Sequence, residues 1–315
     1  MPLSSLLSQM PDYSSALASA LLWAVSAQFV SAGYAKVSTD TRLPFLMTGL
    51  LISQLTGLAG LAGLLWWQEG ALSFNPSPYV WLAGLLTFPI GTGLYYVAGS
   101  LFGGRSDIAA QFAKVKPLFS LLLAVFVLGD PLASLFSPSS LFVVLGVLVF
   151  VASGIKGSIT LTALCWGLAT SAAWSLGEVM MGLALSDGAL TDGHMLAATY
   201  TALLAGLAAS LPFLLPFVWR AHAADRQMHL RLLPFAVHGV LSFALGYFCF
   251  FHSIARIGLA STVTINAMWP ILALVLACGV RRWRGQDCDV PTLVWLAALL
   301  LLIGSVLQAY GISNR

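Results

Sequence analysis

The sequence predicts an all-α, polytopic membrane protein whose ten transmembrane helices form two inverted five-helix repeats. Three observations predict it. Of 315 residues, 59% are hydrophobic and only 8% charged. The charges are confined to short stretches between apolar windows of about twenty residues, the length that crosses a bilayer as a helix. The halves of the chain also match one another in order. A soluble domain keeps roughly a quarter of its residues charged, and the mean hydropathy here is +0.92. Lipid offers no partner to an open backbone group, so spanning segments are helices or closed barrels. The windows are broadly apolar and lack the ten-residue alternation of barrel strands, which leaves a helical bundle.

Windows of about nineteen residues place the spans at 14–35, 43–66, 79–101, 108–128, 141–155, 161–185, 195–217, 233–254, 259–280 and 292–310. Linkers carry breakers, such as "NPSP" from Asn75 and "SDGALTDG" from Ser186. The N-terminus shows no basic leader or small-residue cleavage site, so a removable signal peptide is not expected. The odd-numbered loops hold Lys36, Arg42, Arg105, Lys156, Arg220, Arg226, Arg231, Arg281, Arg282 and Arg284, whereas the other loops and the termini hold only Arg256 and Arg315. The positive-inside rule then puts the odd loops in the cytoplasm and both termini outside, in a multi-pass protein of the inner (plasma) membrane.

The repeat divides the chain into residues 1–156 and 157–315. "SALLWAVSAQF" from Ser19 sits over "TALCWGLATSA" from Thr162, with Trp23 over Trp166. "GLYYVAGSLFGGRSDIAAQFAKVKPLF" from Gly93 runs without a gap against "GYFCFFHSIARIGLASTVTINAMWPIL" from Gly246, pairing Pro117 with Pro270. Five spans is an odd number, so the second copy enters the membrane from the opposite side, and loop charges switch between the copies accordingly. Inverted repeats are a recurrent build of secondary transporters, with the solute site near the midplane between them.

Five-plus-five spans, an "LLWA" or "CWG" early in each repeat, and the hairpin that ends in an Ala-rich helix and proline together resemble the drug/metabolite transporter superfamily, in its EamA-type branch. The turn "VLGDPL" from Val127 is similar to the family's Gly-Glu turn, with Asp130 where Glu is usual, and the second copy departs further with "CGVRRWRG". The resemblance implies a central cavity lined by spans one, three, four, six, eight and nine, with the fifth and tenth outside.

Ionisable groups deep in a span cost about 2.5–3.5 kcal/mol each on insertion scales and are functional by default. Lys114 and Lys116 lie in the fourth span about 200° apart around a helix. Lys114 shares the more polar stripe with Gln111 and is the candidate to meet the solute or a carboxylate partner. Lys116, beside Pro117, snorkels or ties down a kink, and for either lysine an internal ion pair is the blander use, more so for Lys116. Glu178 is the acidic residue deep in the sixth span, on a face with Trp174, Ser171 and Ser175; it can take a proton, pair with a lysine or hold a substrate ammonium. His252 is a second proton-coupling candidate, against the blander use of a hydrogen-bonded structural histidine. Gln28, Tyr95, Tyr247 and Asn266 complete the candidate solute site, Asn266 having the alternative of bonding a neighbouring helix. Pro117 and Pro270 are candidate kinks.

No HExxH, GxSxG or paired His/Asp set suggests an enzyme, and His238 and His252 stand about four helical turns apart, too far to share a metal. Cys165, Cys249 and Cys278 fall in apolar windows and Cys288 in a polar loop, a spacing that suggests neither metal nor disulfide chemistry. No cofactor and no nucleic acid are expected. The expected partners are a small solute and membrane lipid, for a monomer or homodimer. The function read from the sequence is secondary transport, by export, of a small polar metabolite such as an amino acid, related zwitterion or organic anion. Export of aromatic or cationic drug-like compounds, or a non-transporting sensor or assembly subunit, are the alternatives.

Overall fold

The computed structural model describes residues 11–34, 37–101, 115–155, 161–186, 192–224 and 228–313. Among them the regular structure is all helical, without strands. The helices are α1 (Ser14–Tyr34), α2 (Thr39–Glu69), α3 (Pro78–Leu85), α4 (Gly93–Leu101), α5 (Lys116–Phe126), α6 (Pro138–Ile155) and α7 (Leu161–Leu185). They continue as α8 (Asp192–Ala224), α9 (Met228–His238), α10 (Tyr247–Ile257), α11 (Leu259–Asn266), α12 (Trp269–Trp283) and α13 (Thr292–Ser313). A π-helical segment, Leu86–Thr92, joins α3 to α4, and a second, Gly239–Gly246, joins α9 to α10.

Eight continuous segments among the described residues are long and apolar enough to cross a membrane; α5 and α6 are shorter apolar helices. Of the fourth expected window, 108–128, only the part from residue 115 is described. α6, which fills the window 141–155, begins earlier, at Pro138, because Pro is tolerated in a first turn. Two helices, α2 and α8, far outrun their windows. α2 has 31 residues and α8 has 33, about 45–50 Å at 1.5 Å per residue, against a hydrocarbon layer of about 30 Å. Lipid thickness sets the length of the apolar window, whereas backbone hydrogen bonding lets the helix continue into Arg42 at one end and Arg220 at the other.

Three departures from straight helix position the centre of the bundle. Pro89 lies inside the first π-segment; its missing N–H leaves a carbonyl free and widens the turn. The second π-segment is bounded by glycines at both ends and follows Pro234. The third is the break at Ala267 and Met268, after which Pro270 stands in the first turn of α12. Met268 N–H donates to Ile265 there instead of Thr264, and the released Thr264 carbonyl accepts from Ser305 of α13 at 3.0 Å. Side-chain rescue of a freed carbonyl is what lipid demands of a broken helix. Pro117 occupies the equivalent place in the first turn of α5, after Val115.

The helices pack in pairs. α2 runs along α8, and α6 along α13 at the edge of the bundle. The α3–π–α4 unit packs against α7, and the α9–π–α10 unit against α1, while α5 meets both α7 and α11. Fully buried Gln54 ties α2 to α8 by accepting from Ser210 at 2.7 Å. The cysteine reading is corrected at the end of α12. Gly285, at φ +69°, reverses the chain, and Cys288 returns to form a disulfide with Cys278, their Cα atoms 5.3 Å apart. The spacing alone carried no motif; the left-handed turn that only glycine adopts freely brings the two together.

Candidate functional site

The site is built around α1, which meets the second half of the chain through a ladder at helical spacing. Ser15 Oγ lies 3.0 Å from His252 Nδ1 on α10. One turn on, Ser19 Oγ accepts from Asn266 Nδ2 of α11 at 3.0 Å. Another turn on, Trp23 packs against Tyr247 and Phe250 of α10, with ring centroids 5.0 and 5.1 Å away. Gln28, on another face of α1, donates to the Ala273 carbonyl of α12 at 2.9 Å. Residues four apart lie on one helix face, so a single stripe of α1, formed by Ser15, Ser19 and Trp23, touches α10 and α11.

Lys116 of α5 reaches the Trp23 step of that ladder. Its Nζ sits 4.7 Å from the Trp23 ring centroid and 4.8 Å from that of Phe250, and it pairs with Oε1 of Glu178 on α7. Both side chains are nearly sealed from solvent, Lys116 at 7% exposure and Glu178 at 1%. Ser120, one turn along α5, donates to Glu178 Oε2 at 2.6 Å. Ser120 Oγ is also within 2.8 Å of Ser175 Oγ, which accepts from it, and Ser175 donates to the Lys116 carbonyl at 3.2 Å. The Lys116 ammonium is the partner of Glu178 Oε1 among the described residues. Four helices, α1, α5, α7 and α10, thus meet on one buried ion pair.

Trp174, a neighbour of Ser175 on α7, faces the other way. Its indole N–H donates to the Thr87 carbonyl in the first π-segment at 3.1 Å, and its ring lies 5.6 Å from that of Tyr95. A Cβ added to Gly91 would stand 2.3 Å from Trp174, and one added to Gly246 would stand 2.6 Å from Trp23. Each π-segment therefore holds a tryptophan against a glycine. The tryptophan that mirrors Trp23 in this respect is Trp174, about two turns beyond the Trp166 that the sequence match had set over it. Phe88 joins the two π-regions, its ring 5.2 Å from Phe243 and 5.0 Å from Tyr247.

No family model matches the chain. It is similar to a protein of Clostridium kluyveri named an uncharacterized transporter, 23% identical over 242 residues that cover 75% of this chain and 73% of the relative. A solved crystal structure with 16% identity has the same fold, at a TM-score of 0.68 over 96% of this chain and 97% of the other. A multi-pass helical architecture and a transporter relative together support membrane transport in general terms.

Of the residues expected to form the site, Glu178 pairs with Lys116 and Tyr247 packs on Trp23 beside that pair, while Trp174 and Tyr95 pack on each other by the first π-segment. Asn266 and His252 stand along the α1 ladder and Gln28 on another face of α1, where their polar atoms serve contacts between helices. His252 is about two turns from the ion pair, toward the end where Arg256 pairs with Asp12 at 2.6 Å. Gln111 and Lys114 lie outside the described residues. Of the three uses the sequence leaves open for Lys116 (snorkelling, tying down a kink or an internal ion pair), the structure shows the ion pair, with Glu178. Trp23, Phe250 and Ser120 were missed, although the spacing of Lys116 to Ser120 and of Ser175 to Glu178, four and three residues, was a signal that the two helices could share a polar stripe. Asp130 was seen only as part of a turn; its carboxylate accepts the Ala260 N–H at 3.3 Å and caps α11. Among the described residues no group of three or more His, Cys, Asp or Glu converges to hold a metal ion.

Proposed function

We propose that the protein is a secondary transporter of the drug/metabolite type, exporting a small polar metabolite by alternating access. In this reading the ten helices form two inverted five-helix repeats, residues 1–156 and 157–315, with the solute held between them and both termini outside the inner membrane. The protein works as a monomer or homodimer, with Glu178 and His252 as the proton-coupling candidates and an amino acid, related zwitterion or organic anion as the solute.

The observation that carries the reading is the ion pair of Lys116 and Glu178, buried where helices of both halves meet. Breaking even on a buried pair requires good geometry and full hydrogen bonding, because desolvation costs several kcal/mol per ion. Stability alone is a poor reason to keep two charges at that depth, and a charge inside a membrane bundle marks a solute or ion path. The pairwise packing supports the symmetry. α2 with α8, α5 with α11 and α6 with α13 are the pairs a twofold axis in the membrane plane would make, and the two π-segments each receive a tryptophan from the opposite half. The aromatic rings of Trp23, Tyr247 and Phe250 favour, as a second reading, a solute with an aromatic body.

Counterflow of radiolabelled amino acids and organic acids into proteoliposomes tests the proposal. Accumulation of at least one of them that drops at least tenfold in Lys116→Met supports it. Uptake of every compound that is unaltered by both Lys116→Met and Glu178→Gln would remove the pair from the mechanism.

A further inference from the structure

The central site has more hydrogen-bond donors than acceptors. The Lys116 ammonium carries three N–H donors, and among the described residues its one acceptor is Glu178 Oε1. The rings of Trp23 and Phe250, their centroids 5.1 Å apart, together stabilise the charge from one side but offer no lone pair. A further donor is the indole N–H of Trp23, buried and without a partner among the described residues. That vacancy is specific to one half, since the equivalent N–H of Trp174 is satisfied by Thr87. The acceptor side is held differently. Glu178 Oε2 is fixed by Ser120 and has no need of the lysine, so only the bond through Oε1 is free to be exchanged.

A site with spare donors, a cation held against two rings and an exchangeable carboxylate suits an anion. We infer that Lys116 anchors the carboxylate of the transported solute, and that Glu178 occupies that place when the solute is absent. The class of solute is a monocarboxylate with an apolar or aromatic body, which lies along the ring wall of Trp23, Tyr247 and Phe250. Ser120 keeps Glu178 against α5 and α7 while the solute takes its position on the ammonium. The inference rests on the transport reading and narrows it: a zwitterion whose ammonium needs Glu178, or a cationic solute, would use the opposite end of the pair.

The two uses differ in sign for one substitution. If Glu178 competes with the solute, Glu178→Gln removes the competitor and tightens carboxylate binding. If Glu178 holds a solute ammonium, the same change weakens binding. The probes are phenylacetate, its neutral amide phenylacetamide, phenethylammonium and phenylalanine. Binding to the full-length purified protein is read as the concentration dependence of thermal stabilisation. The expected result is protection by phenylacetate and none by the amide or the ammonium. Affinity for phenylacetate should rise about tenfold in Glu178→Gln and fall about tenfold in Trp23→Phe, which keeps a ring and loses a charge-assisted donor. Lys116→Met should abolish binding; because that variant also leaves Glu178 unpaired, the Gln and Phe variants carry the decision. Weaker phenylacetate binding in Glu178→Gln, protection by phenethylammonium, or protection by none of the four overturns the inference. Vesicle flux separates it from the reading beneath it. Phenylacetate that binds in this pattern but is not carried leaves the site standing and defeats transport, whereas phenylalanine carried without any phenylacetate binding defeats the carboxylate site and leaves transport standing.

Discussion

Trp23 and Trp174 make nearly the same steric contact in opposite halves of the molecule and have opposite electrostatic surroundings. Each indole lies on a π-segment glycine, at a distance that leaves no room for a methyl group. Around Trp174 the indole N–H finds the Thr87 carbonyl. Around Trp23 the N–H has no partner among the described residues, and the ring face is turned to a lysine that is itself paired with a buried glutamate. Shape has been kept between the two regions and polarity has not. A scaffold needs both contacts for packing, but a binding site needs unsatisfied groups on only one of them.

The largest effect should come from the charged region. Lys116→Met leaves Glu178 as an uncompensated buried carboxylate and is expected to cost about 3–5 kcal/mol. The double variant Lys116→Met/Glu178→Met should recover most of that loss, read as unfolding midpoints in one detergent. A double variant as unstable as the single one would mean that the pair holds the helices together, and the contrast with the Trp174 region would lose its point.

Next come the glycines. Gly91→Ala and Gly246→Ala should each destabilise by about 1–3 kcal/mol through overpacking, and by similar amounts, since the contacts are alike. If one of them is tolerated without loss in thermal denaturation, the likeness of the two regions is superficial.

The smallest effect sharpens the contrast most. Trp174→Phe and Trp23→Phe remove similar volumes, but only the first breaks a hydrogen bond. Without ligand, Trp174→Phe should be the more costly by about 0.5–1.5 kcal/mol. Equal losses would imply that Trp23 has a partner after all, and the case for a ligand there would weaken.

The sequence exposed the charges of this site but not their arrangement. Glu178 was conspicuous because a carboxylate in an apolar window is expensive, and its neighbours Trp174 and Ser175 followed from helical spacing. That its partner is Lys116 depends on how α5 is rotated against α7, and rotation depends on packing at Ser120 and Ser175. Trp23 read as a repeat marker, since nothing in "SALLWAVSAQF" says that its ring will face a lysine more than ninety positions away. Asn266 and Gln28 have polar side chains that could serve a solute or a helix, and only the position of Ser19 and of the Ala273 carbonyl decides between them.

By itself the sequence determined that the chain is a helical membrane protein, because hydropathy and backbone hydrogen bonding are local and lipid enforces both. It also determined which side chains were too costly to be idle. Only the tertiary structure decided the π-segments, the break before Pro270, the Cys278–Cys288 bridge and the meeting of Trp23, Lys116, Phe250 and Glu178. Those depend on contacts between distant segments, where an ångström of close packing or one unpaired N–H separates a wall from a site.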